Sequence, residues 1–425
     1  MMTASNQKKN RFKKYLKLLG PGFITGASDD DPSGIATYAQ TGARFGYSQA
    51  WTALFVTPFM SAIQEMCGRI GMVTGKGLAG VIKQHFSKTI LYAAVFLLVL
   101  ANVINIGADL GAMAAVTKLA FHMPFILCLV GFVLLTLGLE IFIAYKKYAK
   151  YLKYLSFFLL AYIITAFIVK QDWSSIFQHT ILPSITWNKI YLLNIVAILG
   201  TTISPYLFFW QADEEVEEEI VHHKLKMMGQ GIPRIHDKDI HEMRIDTVIG
   251  MIFSNIIMFF IIITSAATLG ANGFFDIETA EQAAQALLPL AGNWAFYIFS
   301  LGIIGTGLLA IPILAGSASY AVSESFGWPA SLGKKFKKAK GFYLVITMAT
   351  LIGVLINFLP FSPFQILYYA AVVNGLLAPP LLVLILLIAN NKKIMGEHTN
   401  KSWSNWLGWT ITSIMGLAAL TLIIN

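Results

Sequence analysis

The sequence predicts an all-α membrane protein made of two five-helix halves and one additional helix. Three observations predict this class: an apolar composition, eleven apolar runs long enough to cross a bilayer, and a proline inside the first run of each half. Hydrophobic residues make up 56% of the 425 positions and charged residues 12%, whereas soluble domains carry about 25% charged residues. The composition therefore excludes a soluble globular protein.

Each of the eleven runs reaches the length of about 17–25 residues that a membrane-spanning helix requires. With the N-terminus in the cytoplasm, the inside loops carry 27 of the 31 Lys and Arg residues, as the positive-inside rule demands. The sequence thus predicts a multi-pass cell-membrane protein with a basic cytoplasmic N-terminus at 1–15 and an extracytoplasmic C-terminus. The predicted spans are 16–45, 49–70, 89–117, 123–145, 152–169, 190–211, 246–268, 292–324, 342–359, 364–390 and 404–424.

These spans divide into a first repeat at 16–169, a second repeat at 190–390 and an additional helix at 404–424. Because each repeat crosses the membrane five times, the second is inverted relative to the first, which is the LeuT-type arrangement. Prolines interrupt the first helix of each repeat, at Asp31–Gly34 and at Ser204-Pro205. Paired broken helices mark the substrate site of secondary transporters; the alternative is two unrelated kinked helices.

The broken helices carry residues suited to binding a cation. Asp31 stands at the first break and is the best candidate for a direct ligand, because a carboxylate at bilayer depth is costly unless it has a function. Thr201 and Ser204 share a helix face, and the Thr201 carbonyl is freed by the proline that follows. Asp29 and Asp30 either support this site or serve as a helix cap or the solvated mouth of a cavity. Such an all-oxygen site suits hard cations.

Other polar residues have simpler expected roles. The segment 213–244 is the longest polar stretch and is expected to be a solvated cytoplasmic loop, with sensing of cytosolic metal as the alternative. Glu324, at the end of its span, is expected to be solvated, whereas Glu65 and Glu140 are expected to face the bundle interior. The histidines of the acidic segment are His222, His223, His236 and His241.

No phosphate-binding loop, zinc-protease motif or nucleophile–base pattern is present, so no enzyme activity is predicted. The expected partners are divalent metal ions, as transported substrates, and the lipid bilayer. No cofactor, nucleic acid or obligate protein partner is predicted.

Several segments resemble the Nramp divalent-metal transporters. These segments are GPGFITGASDDDPSGIATYAQTGA, QEMCGRIGMVTGKGLAGVI, GTTISPY, IDTVIGM, SAATL and KKIMGEHTN, which follow the family's order from about residue 20 to 400. The first is similar to the family's first helix, where the break reads DPGN, and the third is similar to its sixth-helix motif GATVMPH. The resemblance implies transport of divalent metal ions by alternating access.

The departures from the family's pattern bear on the choice of metal. Asp31 matches the family's metal-binding Asp, but Gly34 replaces its Asn, Thr201 replaces an alanine that binds metal through its carbonyl, and Ser204 replaces its metal-binding methionine. A thioether favours transition metals, so its loss, with the space left at Gly34, suits a partly hydrated Mg²⁺. The chain thus resembles the Nramp-related magnesium transporters, which implies Mg²⁺ first and Mn²⁺ next.

Four further positions bear on proton coupling. Two histidines of the family's sixth helix fall on Tyr206 and Gln211, its third-helix acid on Asp109, and a tenth-helix glutamine on Asn374. Histidine titrates near neutral pH, so its loss from both positions implies transport that is not proton-coupled, with Asp109 either a proton relay or part of a polar network. The alternatives are a proton-coupled Mn²⁺/Fe²⁺ symporter and a sodium-coupled carrier of organic solutes on the same fold.

Overall fold

The computed structural model describes residues 20–143 and 155–424, and helices lie at all eleven predicted positions. The predicted N-terminal segment 1–15 and the beginnings of the spans at 16 and 152 lie outside the described residues. The long helices are α1a (Pro21–Asp29), α1b (Pro32–Phe45), α2 (Trp51–Thr74), α3 (Lys88–Phe121), α4 (Phe125–Phe142), α5 (Leu160–Ile168, after a 3₁₀ turn at Leu155–Leu159), α6a (Lys189–Thr202), α6b (Pro205–Val221), α7 (Asp237–Thr268), α8 (Ala295–Phe326), α9 (Lys340–Val354), α10 (Pro363–Ala389) and α11 (Ser402–Ile424).

Short helices and turns connect these elements. The connecting helices are Leu78–His85, Trp173–Ile181, Ala280–Ala284, Leu288–Ala291 and Lys392–Met395, and further 3₁₀ turns lie at Gly270–Asn272, Gln285–Leu287, Gly292–Trp294, Phe336–Lys338 and Leu355–Phe358. Apart from an isolated β-bridge between Met227 and Gln230, the described ranges contain helices, turns and loops.

Seven helical stretches of the described chain are long and apolar enough to cross a membrane. An eighth forms if Phe157–Ile168 and Trp173–Ile181, which are bent by 120°, count as one span. The number is below the predicted eleven partly because α1 is divided into halves of 9 and 14 residues. The seven stretches are Lys88–Phe121, Phe125–Phe142, Lys189–Val221, Asp237–Asn272, Ala280–Phe326, Lys340–Phe358 and Pro363–Ala389.

Glycines allow the broken helices to approach their neighbours closely. A Cβ on Gly26 of α1a would lie 2.3 Å from the carbonyl oxygen of Gly250 on α7, and a Cβ on Gly200 of α6a would lie 2.0 Å from the Ala371 carbonyl oxygen on α10. Small residues at such contacts let helix backbones pack directly in membrane proteins. The two breaks are therefore held against α7 and α10.

The predicted boundaries of a polar loop at 213–244 are wrong at both ends. Helix α6b runs to Val221 and α7 begins at Asp237, so the loop between them comprises only residues 222–236. Glutamate is a good helix former, and the first acids of the segment continue the helix that begins at Pro205.

Five acids at the end of α6b are buried rather than solvated, and side-chain partners are present for two of them: Asp213, Glu214, Glu215, Glu217 and Glu219 are the buried acids. Gln211 Nε2 donates to Glu215 Oε1 at 2.9 Å, and the Tyr320 hydroxyl of α8 donates to Glu217 Oε1 at 3.1 Å. Neither Glu215 nor Glu217 is more than 8% exposed. A polar composition therefore does not keep this part of the segment in solvent, because partners on α6b itself and on α8 are available to its acids.

The expectation of a solvated Glu324 is likewise wrong. Its carboxylate is half-buried and accepts the backbone N–H groups of Gly77 at 2.8 Å and Gly80 at 2.9 Å. Glu65 and Glu140 are buried, as expected, and Glu65 accepts hydrogen bonds from Arg69.

Candidate functional site

The two proline breaks have the same backbone construction. Helix α1a ends at Asp29 and α1b begins at Pro32, whereas α6a ends at Thr202 and α6b begins at Pro205. In both, two residues separate the halves and proline takes the first helical position of the second half. Proline fits there because the first N–H of a helix has no intrahelical partner.

Asp31 caps the second half of α1 with one of its two carboxylate oxygens. Its Oδ1 accepts the backbone N–H of Gly34 at 2.8 Å and the hydroxyl of Ser33 at 2.7 Å. Among the described residues, its Oδ2 is reached only by the Tyr206 hydroxyl, at 3.5 Å, the limit of a hydrogen bond. The Oδ2 atom is therefore the oxygen that remains available to a ligand.

Gly34 borders a space on which oxygens from both breaks converge. A Cβ on Gly34 would lie 3.0 Å from the carbonyl oxygen of Asp29 and 3.3 Å from the Thr201 hydroxyl oxygen. Because glycine has no side chain, the carbonyl of one broken helix and the hydroxyl of the other can both approach this position closely.

Ser204 occupies the corresponding capping position in α6, but its hydroxyl bonds backwards. Its Oγ lies 2.7 Å from the Thr201 carbonyl oxygen and 2.6 Å from the Gly200 carbonyl oxygen, to which it donates. The Thr201 carbonyl lacks its usual N–H partner because residue 205 is proline. The freed carbonyl is thus hydrogen-bonded, and its second lone pair remains open.

Asp29 and Asp30 are fully buried, so the expectation of a solvated cavity mouth is wrong. The hydroxyl of Ser254 on α7 donates to Asp29 Oδ2 at 2.6 Å and lies 3.3 Å from Asp30 Oδ1. Neither aspartate caps α1b, since Asp31 does so. The other oxygens, Asp29 Oδ1 and Asp30 Oδ2, have no hydrogen-bond partner among the described residues.

Asn374 and Asp109 are buried polar side chains on α10 and α3. Asn374 Oδ1 accepts from Asn105 Nδ2 at 2.9 Å, while its Nδ2 has no partner in the described part of the chain. Both carboxylate oxygens of Asp109 also lack a partner there, and Asp31 lies within electrostatic range of Asp109.

Tyr206 and Gln211 lie at different heights along α6b. The Tyr206 hydroxyl donates to the Ser28 carbonyl at 3.2 Å, so this side chain joins α6b to the break in α1. Gln211 instead donates to Glu215 further along the same helix. Only Tyr206 of this predicted pair is therefore at the break.

Two residues that support the α1 break were not selected from the sequence. Asp246 on α7 accepts the N–H groups of Gly20 at 2.9 Å and Gly22 at 2.8 Å, and so caps α1a. Asp246 belongs to the segment IDTVIGM, whose resemblance to the family was the sequence feature that could have indicated it. Ser254 had no signal beyond being polar in an apolar helix.

All the predicted site residues at the breaks are at most 1% exposed, so the site is closed to both ends of the bundle. Within 20–143 and 155–424, no three His, Cys, Asp or Glu side chains are arranged to hold a metal ion. The donors identified here are instead one free carboxylate oxygen, hydroxyls and backbone carbonyls. Oxygen donors of this kind bind hard cations.

A helical membrane bundle in which two broken helices meet at a buried, oxygen-lined site defines a membrane transporter. The match to a family model makes the class specific: the chain belongs to the Nramp family (natural resistance-associated macrophage protein-like), whose model matches residues 22–425.

The chain is similar along nearly its whole length to proteins named divalent metal cation transporter MntH. It is 27% identical to that of Caldanaerobacter subterraneus over 97% of this chain and 95% of that protein. It is 26% identical to that of Klebsiella pneumoniae over 95% of this chain and 92% of that protein.

Solved structures share the fold. The manganese transporter of Eremococcus coleocola superposes with a TM-score of 0.77 at 18% identity, covering 96% of this chain and 86% of that one. The transporter Mhp1, in its inward-facing conformation, gives a TM-score of 0.57 at 13% identity, covering 95% and 89%. The predicted all-α transporter fold with broken first and sixth helices is therefore confirmed.

Proposed function

We propose that this protein imports divalent metal cations, Mg²⁺ first and Mn²⁺ next, by alternating access at the two helix breaks. The observation that carries the proposal is the convergence of oxygens from both breaks at Gly34, where a Cβ would lie 3.0 Å from the Asp29 carbonyl oxygen and 3.3 Å from the Thr201 hydroxyl oxygen. Whole-length similarity to proteins named divalent metal cation transporters supports the metal class.

In this proposal the ion binds Asp31 Oδ2, the Thr201 hydroxyl or carbonyl, and the Ser204 hydroxyl. Asp29, Asp30 and Asn374 support the site from α1 and α10, and Gly34 lets oxygens of both breaks approach closely. The Ser204 hydroxyl proton is directed at backbone carbonyls, so its lone pairs are free to face the ion.

Magnesium fits this arrangement better than a soft transition metal. Mg²⁺ gives up its water reluctantly and is usually held by one or two carboxylates with several waters retained. Asp31 supplies one carboxylate oxygen, and Ser204 supplies a hard oxygen donor. Mn²⁺ accepts the same oxygen donors and ranks second.

Import is proposed to proceed without proton coupling. Tyr206 at the break and Gln211 further down α6b are not groups that exchange protons near neutral pH. The proposed orientation places the N-terminus in the cytoplasm, since Lys and Arg residues are concentrated on the loops of one side.

The test is flux into proteoliposomes that contain the purified protein and a metal-sensitive dye. Mg²⁺, Mn²⁺ and Ca²⁺ are added outside, with and without an imposed pH gradient, and empty liposomes give the leak. We expect Mg²⁺ and Mn²⁺ influx that the pH gradient leaves unchanged. Influx no faster than the leak for all three metals would contradict the proposed function.

A further inference from the structure

The acidic end of α6b contains a carboxylate that the structure leaves without a partner. Asp213 is 1% exposed, and neither of its carboxylate oxygens has a hydrogen-bond partner among the described residues. Its neighbours on the helix differ, because Glu215 and Glu217 accept hydrogen bonds from Gln211 and Tyr320. A buried, unpaired carboxylate is costly, so a compensating ligand is expected at Asp213.

Asp213 faces a second carboxylate, that of Glu324 at the end of α8. A Cβ on Gly77 would lie 1.8 Å from Asp213 Oδ1 and 2.6 Å from Glu324 Oε2. Since both oxygens are measured from one point, they are no more than 4.4 Å apart. Two oxygens that bind one magnesium ion lie at most about 4.2 Å apart, twice the usual metal–oxygen distance, so the two carboxylates are close enough to approach one ion.

The charges around this pair are mainly negative on the α6b side. Glu324, Glu214 and Glu217 are the acids within electrostatic range of Asp213. Lys76 and Lys83 lie near Glu324, and the Lys83 ammonium donates to the Glu324 backbone carbonyl at 3.1 Å. Glu324 Oε2 accepts the Gly80 N–H at 2.9 Å and keeps a second lone pair for another ligand.

We propose that Asp213 and Glu324 form a second divalent-cation site, for a hydrated hard cation such as Mg²⁺ or Mn²⁺. Two carboxylates with retained water are the usual protein ligands of Mg²⁺. The site lies nine residues beyond Ser204, or about 14 Å along α6b, and is therefore distinct from the helix breaks. The inference rests on the proposed function only in taking the transported cation as the ligand.

A cation at this position would join three elements at the end of the bundle predicted to be cytoplasmic. Asp213 belongs to α6b, Glu324 ends α8, and its carboxylate also holds the first turn of the helix Leu78–His85 through Gly77 and Gly80. Without the ion, the two carboxylates repel each other and favour separation of α6b from α8. The site thus couples occupancy by the cation to closure of this end.

The experiment counts bound ions. Mn²⁺ binding to the purified full-length protein in nanodiscs is measured by electron paramagnetic resonance for wild type, Asp31→Asn, Asp213→Asn and the double variant. We expect two ions per chain for wild type, one for each single variant and none for the double variant. Asp237→Asn, the same change at an exposed residue on the same end, is the matched control and keeps both ions.

This experiment distinguishes an error in the second site from an error in the transport site. If Asp213→Asn still binds two ions, the pair holds a shared proton or nothing, and the second site is overturned. If Asp31→Asn keeps two ions while Asp213→Asn keeps one, the transport site is misplaced and the second site stands.

Gly77→Ala provides a variant that removes no charge. The backbone of Gly77, with φ −68° and ψ 171°, accepts alanine, but the added methyl would enter the space between the two carboxylates. We expect the second Mn²⁺ to bind at least about tenfold more weakly, as for other changes beside metal ligands. Unchanged affinity would show that the ion does not lie between Asp213 and Glu324.

Discussion

The helix breaks of α1 and α6 are alike in backbone but opposite in hydrogen bonding. In α1 the residue before the proline is Asp31, whose carboxylate accepts the N–H of Gly34 in the helix that follows. In α6 it is Ser204, whose hydroxyl donates to the carbonyls of Gly200 and Thr201 in the helix that precedes it. The side chain at the α1 break therefore satisfies a backbone N–H donor, and the side chain at the α6 break satisfies backbone carbonyl acceptors.

This difference assigns different contributions to the two breaks. The α1 break supplies negative charge, because a capping carboxylate keeps a second oxygen, Asp31 Oδ2, for a ligand. The α6 break supplies neutral oxygens whose hardness and spacing discriminate between metals. We therefore expect changes at Asp31 to remove cation transport and changes at Ser204 to alter metal preference.

The largest effect is expected from Asp31. Asp31→Asn retains a good helix-capping side chain but loses the charge, and we expect Mg²⁺ and Mn²⁺ flux in proteoliposomes to fall by more than about 100-fold, since even changes beside metal ligands cost 10–100-fold. Asp31→Ala should lose the same flux and also about 1 kcal/mol of stability, measured by thermal unfolding, because it removes the cap.

Comparison of these two variants separates charge from capping. Near-normal flux in Asp31→Asn would show that the carboxylate charge is not needed and would reject Asp31 as the ligand. Flux retained in Asp31→Asn but lost in Asp31→Ala would assign Asp31 a capping role alone.

The breaks themselves were predictable because they follow from local chemistry. A proline inside a helix removes a backbone hydrogen bond wherever it occurs, so Pro32 and Pro205 located both breaks to within two residues. The role of Asp31 followed from its place beside the first proline. Such features depend on a few neighbouring residues and are visible in the sequence.

Burial of the other acids was not predictable, because it depends on contacts between distant segments. Asp29 is buried against α7, where Ser254 donates a hydrogen bond to it, and Glu217 is buried against α8, where Tyr320 donates a hydrogen bond to it. In the sequence, the run around Glu217 has the composition of a solvated loop. Only the packing of α6b against α8 shows that this run is buried.

The next largest effect is expected on metal selectivity. Ser204→Met combined with Gly34→Asn places a soft thioether in the α6 break and fills the space beside Gly34, where a Cβ meets the Asp29 carbonyl at 3.0 Å. We expect the preference for Mn²⁺ or Cd²⁺ over Mg²⁺ to rise by roughly tenfold or more in competition flux assays. Each single variant is the control, and unchanged competition in the double variant would show that ligand softness at this position does not set selectivity.

A smaller effect is expected when one hydroxyl is removed from either break. Ser204→Ala removes an oxygen proposed to bind the ion, and we expect its Mg²⁺ KM to rise roughly fivefold, the equivalent of about 1 kcal/mol for one such interaction. Ser33→Ala is the matched change in α1; it removes a donor to Asp31 Oδ1 and leaves Oδ2 untouched, so its KM should rise less. A larger rise for Ser33→Ala would reverse the assignment of neutral ligands to α6.

The smallest effect is expected from an imposed pH gradient, since no histidine lies at either break. Tyr206, which connects the two breaks through Ser28, does not exchange protons near neutral pH, and Gln211 does not ionise. Proteoliposomes loaded with a pH-sensitive dye should therefore show no acidification when Mg²⁺ or Mn²⁺ is added outside, while an added protonophore confirms the response of the dye.

Asp109 is the residue that discriminates between uncoupled and proton-coupled transport, because it is buried, has no hydrogen-bond partner among the described residues and lies within electrostatic range of Asp31. Metal-dependent acidification that disappears in Asp109→Asn would make α3 a proton path and support a proton-coupled symporter, in which the charge at the α1 break serves both the metal and the proton.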